Sequence, residues 1–301
     1  MTISSTQFDS WSNVGASVTS ASTYNSVKTA LDLHTWPVGV TWDVYLQGSY
    51  RNTTNIRGDS DVDIVLQCTS IFHDNTDSLP APQKALYAQS TSQSTYLLSQ
   101  FKVEVITALS NYYGSQYVAP GNKSIKLLAD IHNNRLNADI VPCVTQRSFF
   151  NYVSGADDEF IEGIAFWANN AWIVNFPKYH YIYGAEKNES THTNGRYKPI
   201  VRVFKNARVA YNNRFSMSLE APSYFIENLL YNVDDRHYQN SKSITFDNCL
   251  IELSSMLTGS SYNTMKCQNH IVSIFGTKQY QWNHADAIEF VRAMIYLRDN
   301  Y

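Results

Sequence analysis

Two aspartates, Asp61 and Asp63, are the residues of this sequence best suited to chemistry. Side chains alternate along a strand, so both carboxylates would lie on one face while Val62 and Ile64 point into the core. Adjacent carboxylates repel each other unless a cation lies between them, and Mg²⁺ prefers oxygen ligands. The spacing therefore favours a divalent-metal site, with a solvated strand edge as the alternative.

A third aspartate, Asp139, lies in another apolar segment, 137–142. The apolar run 64–66 buries the strand of the first pair, and buried strands rarely carry unpaired carboxylates. Three carboxylates on adjacent strands are a recurring way to hold two Mg²⁺ ions for phosphoryl transfer. We therefore expect Asp61, Asp63 and Asp139 to be catalytic metal ligands.

Gly48 and Ser49 form a small turn between a predicted strand and the aspartates. Backbone N–H groups and the Ser49 hydroxyl at such a turn can hold phosphates ahead of a short helix, although a plain turn is the alternative. A lone Gly-Ser carries little information. Gly-Ser followed by Asp-x-Asp and by a third Asp on a later strand is a specific combination.

The elements that must position these residues form a mixed α/β half followed by a helical half, with a cleft between them. Apolar periodicity predicts one or two helices over 5–33 and further helices at 98–112, 196–214, from 222, 246–257 and 285–297. Strands are predicted at 42–47, 61–68, 124–128, 137–142 and 148–153, a loop with a short helix at 72–91, and strand and loop at 166–183.

Composition narrows the class of protein. Hydrophobic residues make up 44 % of the 301 residues, enough for a full core, and a net charge of −3 argues against bulk binding of duplex nucleic acid. The four cysteines form no Cys-x-x-Cys pair and are expected to be reduced thiols. With no signal peptide and no apolar stretch approaching about 18 residues, we expect a cytoplasmic protein without a membrane partner.

These motifs together resemble the polymerase β-like nucleotidyltransferases. More narrowly, they resemble the bacterial CD-NTases, which are similar to cyclic GMP-AMP synthases (the cGAS/DncV-like group), and most of all their clade E (CdnE). The blocks that carry the resemblance are Gly48–Tyr50, Ile56–Asp63, Asn122–Leu127, Ala138–Cys143, Val174–Lys178, Tyr197–Lys205 and Ser223–Glu227.

The resemblance implies a fold and a division into domains. The fold would be α+β, with a polymerase β-like nucleotidyltransferase core, a mixed sheet with flanking helices, joined to a C-terminal helical bundle. The catalytic core with its N-terminal helix would span residues 1–180, and the helical domain residues 181–301.

The resemblance also implies an activity, the synthesis of a cyclic dinucleotide second messenger from nucleoside triphosphates in anti-phage (CBASS) signalling. With UTP and ATP as substrates, the product would contain uridine, as in cyclic UMP-AMP or cyclic di-UMP. Two Mg²⁺ ions, or Mn²⁺ in their place, would be the cofactors. The enzyme would act as a monomer upstream of a cyclic-nucleotide effector, without a double-stranded DNA activator.

The same resemblance assigns nucleotide-binding residues. Gly48 and Ser49 would hold the donor triphosphate, and so would Lys205 and Ser223 from the helical half. The helical pattern places Lys205 on a basic face opposite an apolar stripe, where a solvated position is the alternative; for Ser223 the alternative is an N-cap after Pro222.

Asn175 is the candidate for base selection, because an amide offers both a donor and an acceptor to the uracil edge. The alternative is an Asn that caps a strand end, and the neighbouring Asn169 and Asn170 leave the assignment ambiguous. Tyr181 and Tyr183 are candidates for stacking on a base.

Two other functions use overlapping motifs. A template-independent polymerase that tails RNA or tRNA shares the three aspartates but needs an extended basic surface. A catalytically idle nucleotide-binding module that regulates a partner has no reason to keep three costly carboxylates.

Overall fold

The computed structural model describes residues 3–15, 18–57, 61–133, 135–278 and 280–301, which adopt the predicted α+β fold. Gly58, Asp59 and Ser60 of the Ile56–Asp63 block lie outside these residues. The helices are α1 (Ser5–Ser12), α2 (Val18–Asp32), α3 (Gly48–Asn52), α4 (Ala81–Ser90), α5 (Leu98–Tyr113), α6 (Pro177–Lys187), α7 (Tyr197–Phe215), α8 (Ser223–Tyr231), α9 (Lys242–Thr258) and α10 (His284–Asn300). The strands are β1 (Trp42–Leu46), β2 (Asp61–Asn75), β3 (Val118–Pro120), β4 (Ile125–Leu127), β5 (Asn137–Asn151), β6 (Glu159–Ala168) and β7 (Ala171–Asn175).

One mixed sheet contains all of these strands, in the order β1-β2-β5-β4-β3. The central pair, β2 and β5, is parallel, and the other pairs are antiparallel. The first part of β5 pairs with β4 and its later part pairs with β6, which in turn pairs with β7. The parallel pair places the beginnings of β2 and β5 side by side.

The two central strands are longer than the sequence predicts. β2 continues beyond Cys68 to Asn75 through a shift in register between Cys68 and Phe72. β5 is one strand where two were predicted, because its polar middle is buried and paired. There the Gln67 side-chain amide donates to Thr145 Oγ1 at 2.8 Å. Buried polar groups with partners of this kind are compatible with a central strand.

The chain forms two compact units. The sheet unit consists of Val18–Gln47 and Ser60–Pro177 and contains the whole sheet with α2, α4 and α5. Its helix α2 is fixed to the strands through side chains, since Tyr24 donates to the carbonyl of Val44 at 2.9 Å.

The helical unit consists of Met1–Ser17, Gly48–Asp59 and Lys178–Tyr301. Its core joins α1 to α7–α10, and the ring of Phe8 lies 5.4 Å from that of Phe246. The predicted division at 180/181 therefore differs from these units, because α1 and residues 48–57 pack with the helical unit. Buried polar side chains of α7 and α8, described below, hold that segment.

Helix α6 replaces the strand and loop predicted near its position. Pro177 is its first residue, where a missing N–H costs nothing. Three tyrosines at alternate positions imitate a strand pattern, but Tyr179 and Tyr183 stack one helical turn apart, with ring centroids 6.3 Å apart.

All four cysteines are buried and free. Within the described ranges, none of the helices has the length and apolar character needed to cross a bilayer.

Candidate active site

The strand pair β2–β5 brings two of the predicted carboxylates together. Asp63 and Asp139 are register partners in this parallel pair, and Asp61 lies two residues earlier on β2. All three side chains are half-buried, whereas Val62, between Asp61 and Asp63, and Ala138, next to Asp139, are fully buried. The alternation of a strand thus places the three carboxylates on one face of the sheet, as predicted.

Polar side chains of β4 and of the residue just before it contact these carboxylates. Lys126 of β4 lies opposite Asp139, and its Nζ donates to Asp61 Oδ2 at 2.9 Å. That hydrogen bond raises the pKa of Lys126. Ser124 Oγ donates to Asp139 Oδ1 at 3.4 Å. The carboxylate face therefore already attracts a cationic group.

The donor set fits a hard divalent cation by its chemistry, because it consists only of carboxylate oxygens. In the part of the chain that the structure describes, however, no three acidic, histidine or cysteine side chains converge closely enough to hold a metal ion. Metal binding by Asp61, Asp63 and Asp139 is therefore an expectation that rests on donor chemistry and register.

The Gly48-Ser49 turn begins the short helix α3 in the helical unit. Gly48 has a φ of 65°, a left-handed conformation that glycine adopts without strain. The Ser49 carbonyl accepts a hydrogen bond from Thr54 N at 2.9 Å, which closes the turn behind α3. Gly48 is exposed and Ser49 half-buried, so both remain accessible to a ligand.

Two cations of α7 support the segment that follows this turn. Lys205 is 1 % exposed and its Nζ donates to the carbonyl of Thr54 at 3.0 Å. Arg202 is also buried and donates to the carbonyls of Ser12, at 2.6 Å, and Thr53. Burial lowers the pKa of Arg202 to about 10, which leaves the guanidinium charged at neutral pH.

The alternative of a solvated position is therefore wrong for Lys205. Arg202 and Lys205 lie about one helical turn apart, and both donate to backbone carbonyls of the same unit. Periodicity identified the apolar stripe correctly, since Ile200, Phe204 and Ala207 are buried. It did not reveal that Arg202 and Lys205, which lie outside this stripe, are buried as well.

Glu227 of α8 also supports the segment that follows the Gly48-Ser49 turn. The sequence patterns indicated no role for this residue. Its Oε1 accepts from Asn52 Nδ2 at 2.9 Å and its Oε2 accepts from Thr54 Oγ1 at 3.1 Å. Nε2 of His180 lies 3.3 Å from Oε1. The signal in the sequence was an acidic residue inside the apolar run of α8.

Opposing effects set the charge of Glu227. Burial alone would raise the pKa of its carboxyl group, but the hydrogen bond and charge of His180, with the charge of Lys205, outweigh burial and hold this pKa below its ordinary value. Glu227 is therefore a buried carboxylate that fixes the segment behind Gly48 and Ser49.

Ser223 is the first residue of α8, and Pro222 takes the N-cap position without a side-chain cap. The alternative of Ser223 as the N-cap is therefore wrong by one residue. Arg208 Nη2 donates to Ser223 Oγ at 3.4 Å, so the hydroxyl lies beside a guanidinium.

Asn175 ends β7, and its Oδ1 accepts from the N–H of Phe176 at 2.8 Å. This is the capping geometry considered as the alternative to base recognition. Asn169 and Asn170 have positive φ values of 51° and 60° and form the tight turn between β6 and β7. This turn accounts for the presence of asparagine at both positions without contact to a base.

The two tyrosines considered for base stacking already have partners in the helical unit. The guanidinium carbon of Arg51 lies 3.9 Å from the ring centroid of Tyr181. The ring of Tyr183 stacks on His270 with centroids 4.0 Å apart. The predicted stacking on a base stays untested for both.

Comparison with known proteins identifies the family. The model of the cGAS/DncV-like nucleotidyltransferase C-terminal helical domain matches residues 183–298. The cyclic UMP-AMP synthase of Rhodothermus marinus is 39 % identical over 296 residues, which cover 98 % of this chain and 97 % of that protein. The cyclic nucleotide synthase CdnE01 of Staphylococcus haemolyticus is 37 % identical over 300 residues, 97 % of each chain.

Solved structures agree with the sequence comparisons. The structure of Rhodothermus marinus CdnE c-UMP-AMP synthase with Apcpp and Upnpp has a TM-score of 0.88 and 38 % identity, over 99 % of this chain and 97 % of that one. The similarity includes both compact units, since it covers almost the whole length. This chain accordingly belongs to the CD-NTases, the cGAS/DncV-like nucleotidyltransferases, and is an enzyme of their CdnE group of cyclic nucleotide synthases.

Proposed function

We propose that this enzyme makes a uridine-containing cyclic dinucleotide, cyclic UMP-AMP or cyclic di-UMP, from nucleoside triphosphates in a Mg²⁺-dependent reaction. The observation that carries the proposal is the full-length similarity to a synthase named for cyclic UMP-AMP. The pairing of Asp63 with Asp139 supports it, because it brings together two carboxylates of the kind that such a reaction needs to hold Mg²⁺.

The reaction has two equivalent steps. A 2′- or 3′-hydroxyl of one nucleotide attacks the α-phosphate of the other, forms a phosphodiester and releases pyrophosphate. The linear intermediate then turns, and its remaining triphosphate undergoes the same displacement, so two triphosphates give one ring and two pyrophosphates. The protein contributes positioning and charge neutralisation rather than a covalent intermediate.

Each group of residues has a part in this scheme. Asp61, Asp63 and Asp139 would hold two Mg²⁺ ions, or Mn²⁺. When bound, these ions would neutralise the triphosphate and lower the pKa of the attacking hydroxyl. The backbone of Gly48 and the hydroxyl of Ser49 would bind the donor triphosphate.

The helical unit would complete the binding of the donor. Ser223, beside Arg208, would bind the triphosphate through its hydroxyl. For Lys205, the contact with the Thr54 carbonyl favours a positioning role behind the Gly48-Ser49 turn over direct contact with phosphate. Base recognition by Asn175 would use its Nδ2 donor, since its Oδ1 binds the N–H of Phe176.

The biological role follows from the product. A cyclic dinucleotide resists phosphatases and diffuses freely, as a second messenger must, and the proposed role is CBASS anti-phage signalling through a downstream cyclic-nucleotide effector.

Incubation with the four nucleoside triphosphates, singly and in pairs, tests the choice of base. We expect a phosphatase-resistant product with UTP alone or with UTP and ATP, and a mass that matches a ring without terminal phosphates. A product that forms only from purine triphosphates would overturn the uridine assignment, and a lengthened RNA primer would overturn cyclisation.

A further inference from the structure

The sheet unit contains a large pocket that the proposed reaction does not use. Its volume is about 1430 Å³, above the roughly 300–1,000 Å³ of typical small-molecule sites. It lies among the later parts of β2 and β5, the β6–β7 hairpin and the segment from α4 to α5. Pro142 and Val144, which line it, project from the face of β5 opposite to Asp139. We call it the Trp pocket.

Aromatic side chains form one wall of the Trp pocket. Trp167 and Trp172 are register partners on β6 and β7, with ring centroids 5.7 Å apart, and they are 48 % and 41 % exposed. The ring of His73 lies 4.5 Å from that of Trp172. Two large indoles left open to solvent beside a cavity favour a planar ring as the ligand.

The charged side chains that line the pocket have a net positive charge. Arg147 and Asp74 neutralise each other through two hydrogen bonds of 2.8 and 2.7 Å, and the guanidinium stacks 3.9 Å from the Phe72 ring. Asp74 is the only acid among the described residues that line the pocket, so the charges of Lys102 and Lys123 remain. Lys102 Nζ donates to the Gly121 carbonyl at 2.7 Å, which fixes the loop that carries Lys123.

We propose that the Trp pocket binds a small planar aromatic anion, with its ring against Trp172 and His73 and its negative group near Lys102 and Lys123. Nucleotides and other aromatic acids share this chemistry. The pocket is separate from the carboxylates of β2 and β5, so its ligand would regulate or stabilise the enzyme rather than react.

A matched pair of probes tests the role of charge. Naphthalene-1-sulfonate and the uncharged naphthalene-1-sulfonamide differ in charge but have nearly the same shape. Isothermal titration calorimetry measures the affinity of the enzyme for each. We expect the sulfonate to bind about tenfold more tightly, since two nearby ammonium groups favour the anion. Equal affinities, or no binding of either probe, would overturn the proposal.

Variants locate the site. Lys123→Glu, at an exposed position, should lower the affinity for the sulfonate about tenfold and leave the affinity for the sulfonamide unchanged. Trp172→Ala should lower the affinity for both probes. Lys278→Glu, an exposed charge reversal in the helical unit, is the matched control and should change neither. Sulfonate binding that persists unchanged in Lys123→Glu and Trp172→Ala would place the probe elsewhere and refute the Trp pocket.

Competition separates the two sources of ligand. Displacement of the sulfonate by AMP or UMP, but not by adenosine or uridine, would assign the pocket to nucleotides. Displacement by naphthalene-1-carboxylate with no effect of AMP or UMP would assign it to other aromatic acids. Failure of all of these competitors would contradict an aromatic-anion site.

Discussion

Asp63 and Asp139 are register partners in the parallel strand pair β2–β5, so their carboxylates lie side by side on one face of the sheet. Asp63→Asn and Asp139→Asn keep the size of each side chain and remove its charge. We expect each variant to lower product formation by about 10²–10³-fold or more, as loss of a charge-stabilising group at a reaction centre does. Steady-state rates at saturating nucleotide measure the loss.

Asp157→Asn is the matched control for these two variants, because Asp157 is an exposed aspartate of the same unit. Its rate should equal that of the unmodified enzyme. Full activity of Asp63→Asn or Asp139→Asn would show that this carboxylate pair is not part of the reaction centre.

Glu227 stabilises the segment behind the Gly48-Ser49 turn. Glu227→Gln would leave the positive charge of Lys205 buried without the nearby negative charge. It would also replace one of the two carboxylate acceptors, which bind Asn52 and Thr54, by an NH₂ donor. We expect the free energy of unfolding to fall by about 3 kcal/mol, measured by chemical denaturation. Glu189→Gln, at an exposed position of the same unit, should stay within about 0.5 kcal/mol of the unmodified chain.

The stabilisation by Glu227 should depend on pH. The pKa of its carboxyl group is lower in the folded state than the ordinary value of 4.5, so its contribution is complete above that value and is lost as pH falls through the folded-state pKa. The difference in unfolding free energy between the unmodified chain and Glu227→Gln should shrink as the pH falls below the ordinary carboxyl value of 4.5. A difference that grows below pH 4.5 would contradict a carboxylate stabilised by its partners.

Asn175 distinguishes base recognition from simple capping. If its amide contacts uracil, Asn175→Ser should lower the use of UTP relative to ATP by about tenfold, the value of one hydrogen bond in a binding site. The ratio of kcat/KM values for the two nucleotides measures this. Asn170→Gly is the control, because glycine tolerates the positive φ of that turn. An unchanged ratio in Asn175→Ser would contradict base recognition and would limit the role of Asn175 to accepting the hydrogen bond from Phe176.

Local patterns predicted the carboxylate face and most of the helices. The alternation of Asp61, Val62 and Asp63 is enough to place the aspartates, because a strand buried on one side has a single arrangement. The spacing of Ile200, Phe204 and Ala207 likewise identified the buried stripe of α7. These predictions succeeded because each depends on neighbours within one element.

Features that depend on a distant partner could not be predicted. The sequence left a solvated position open for Lys205, but Lys205 and the neighbouring Arg202 are buried, because carbonyls of residues far away in the chain accept their hydrogen bonds. The polar middle of β5 suggested a break, yet Thr145 is buried against Gln67 of β2. Hydrophobic periodicity contains no information about which polar groups form hydrogen bonds with residues distant in the sequence.

Labelled nucleotides test the central claim most directly. Incubation of the enzyme with ATP, Mg²⁺ and UTP that carries radioactive phosphate at either the α or the γ position should transfer the α label into a single phosphatase-resistant product. The γ label should appear only in pyrophosphate. An α label that stays sensitive to phosphatase or enters an RNA chain, or the absence of any turnover, would contradict the synthesis of a uridine-containing cyclic dinucleotide.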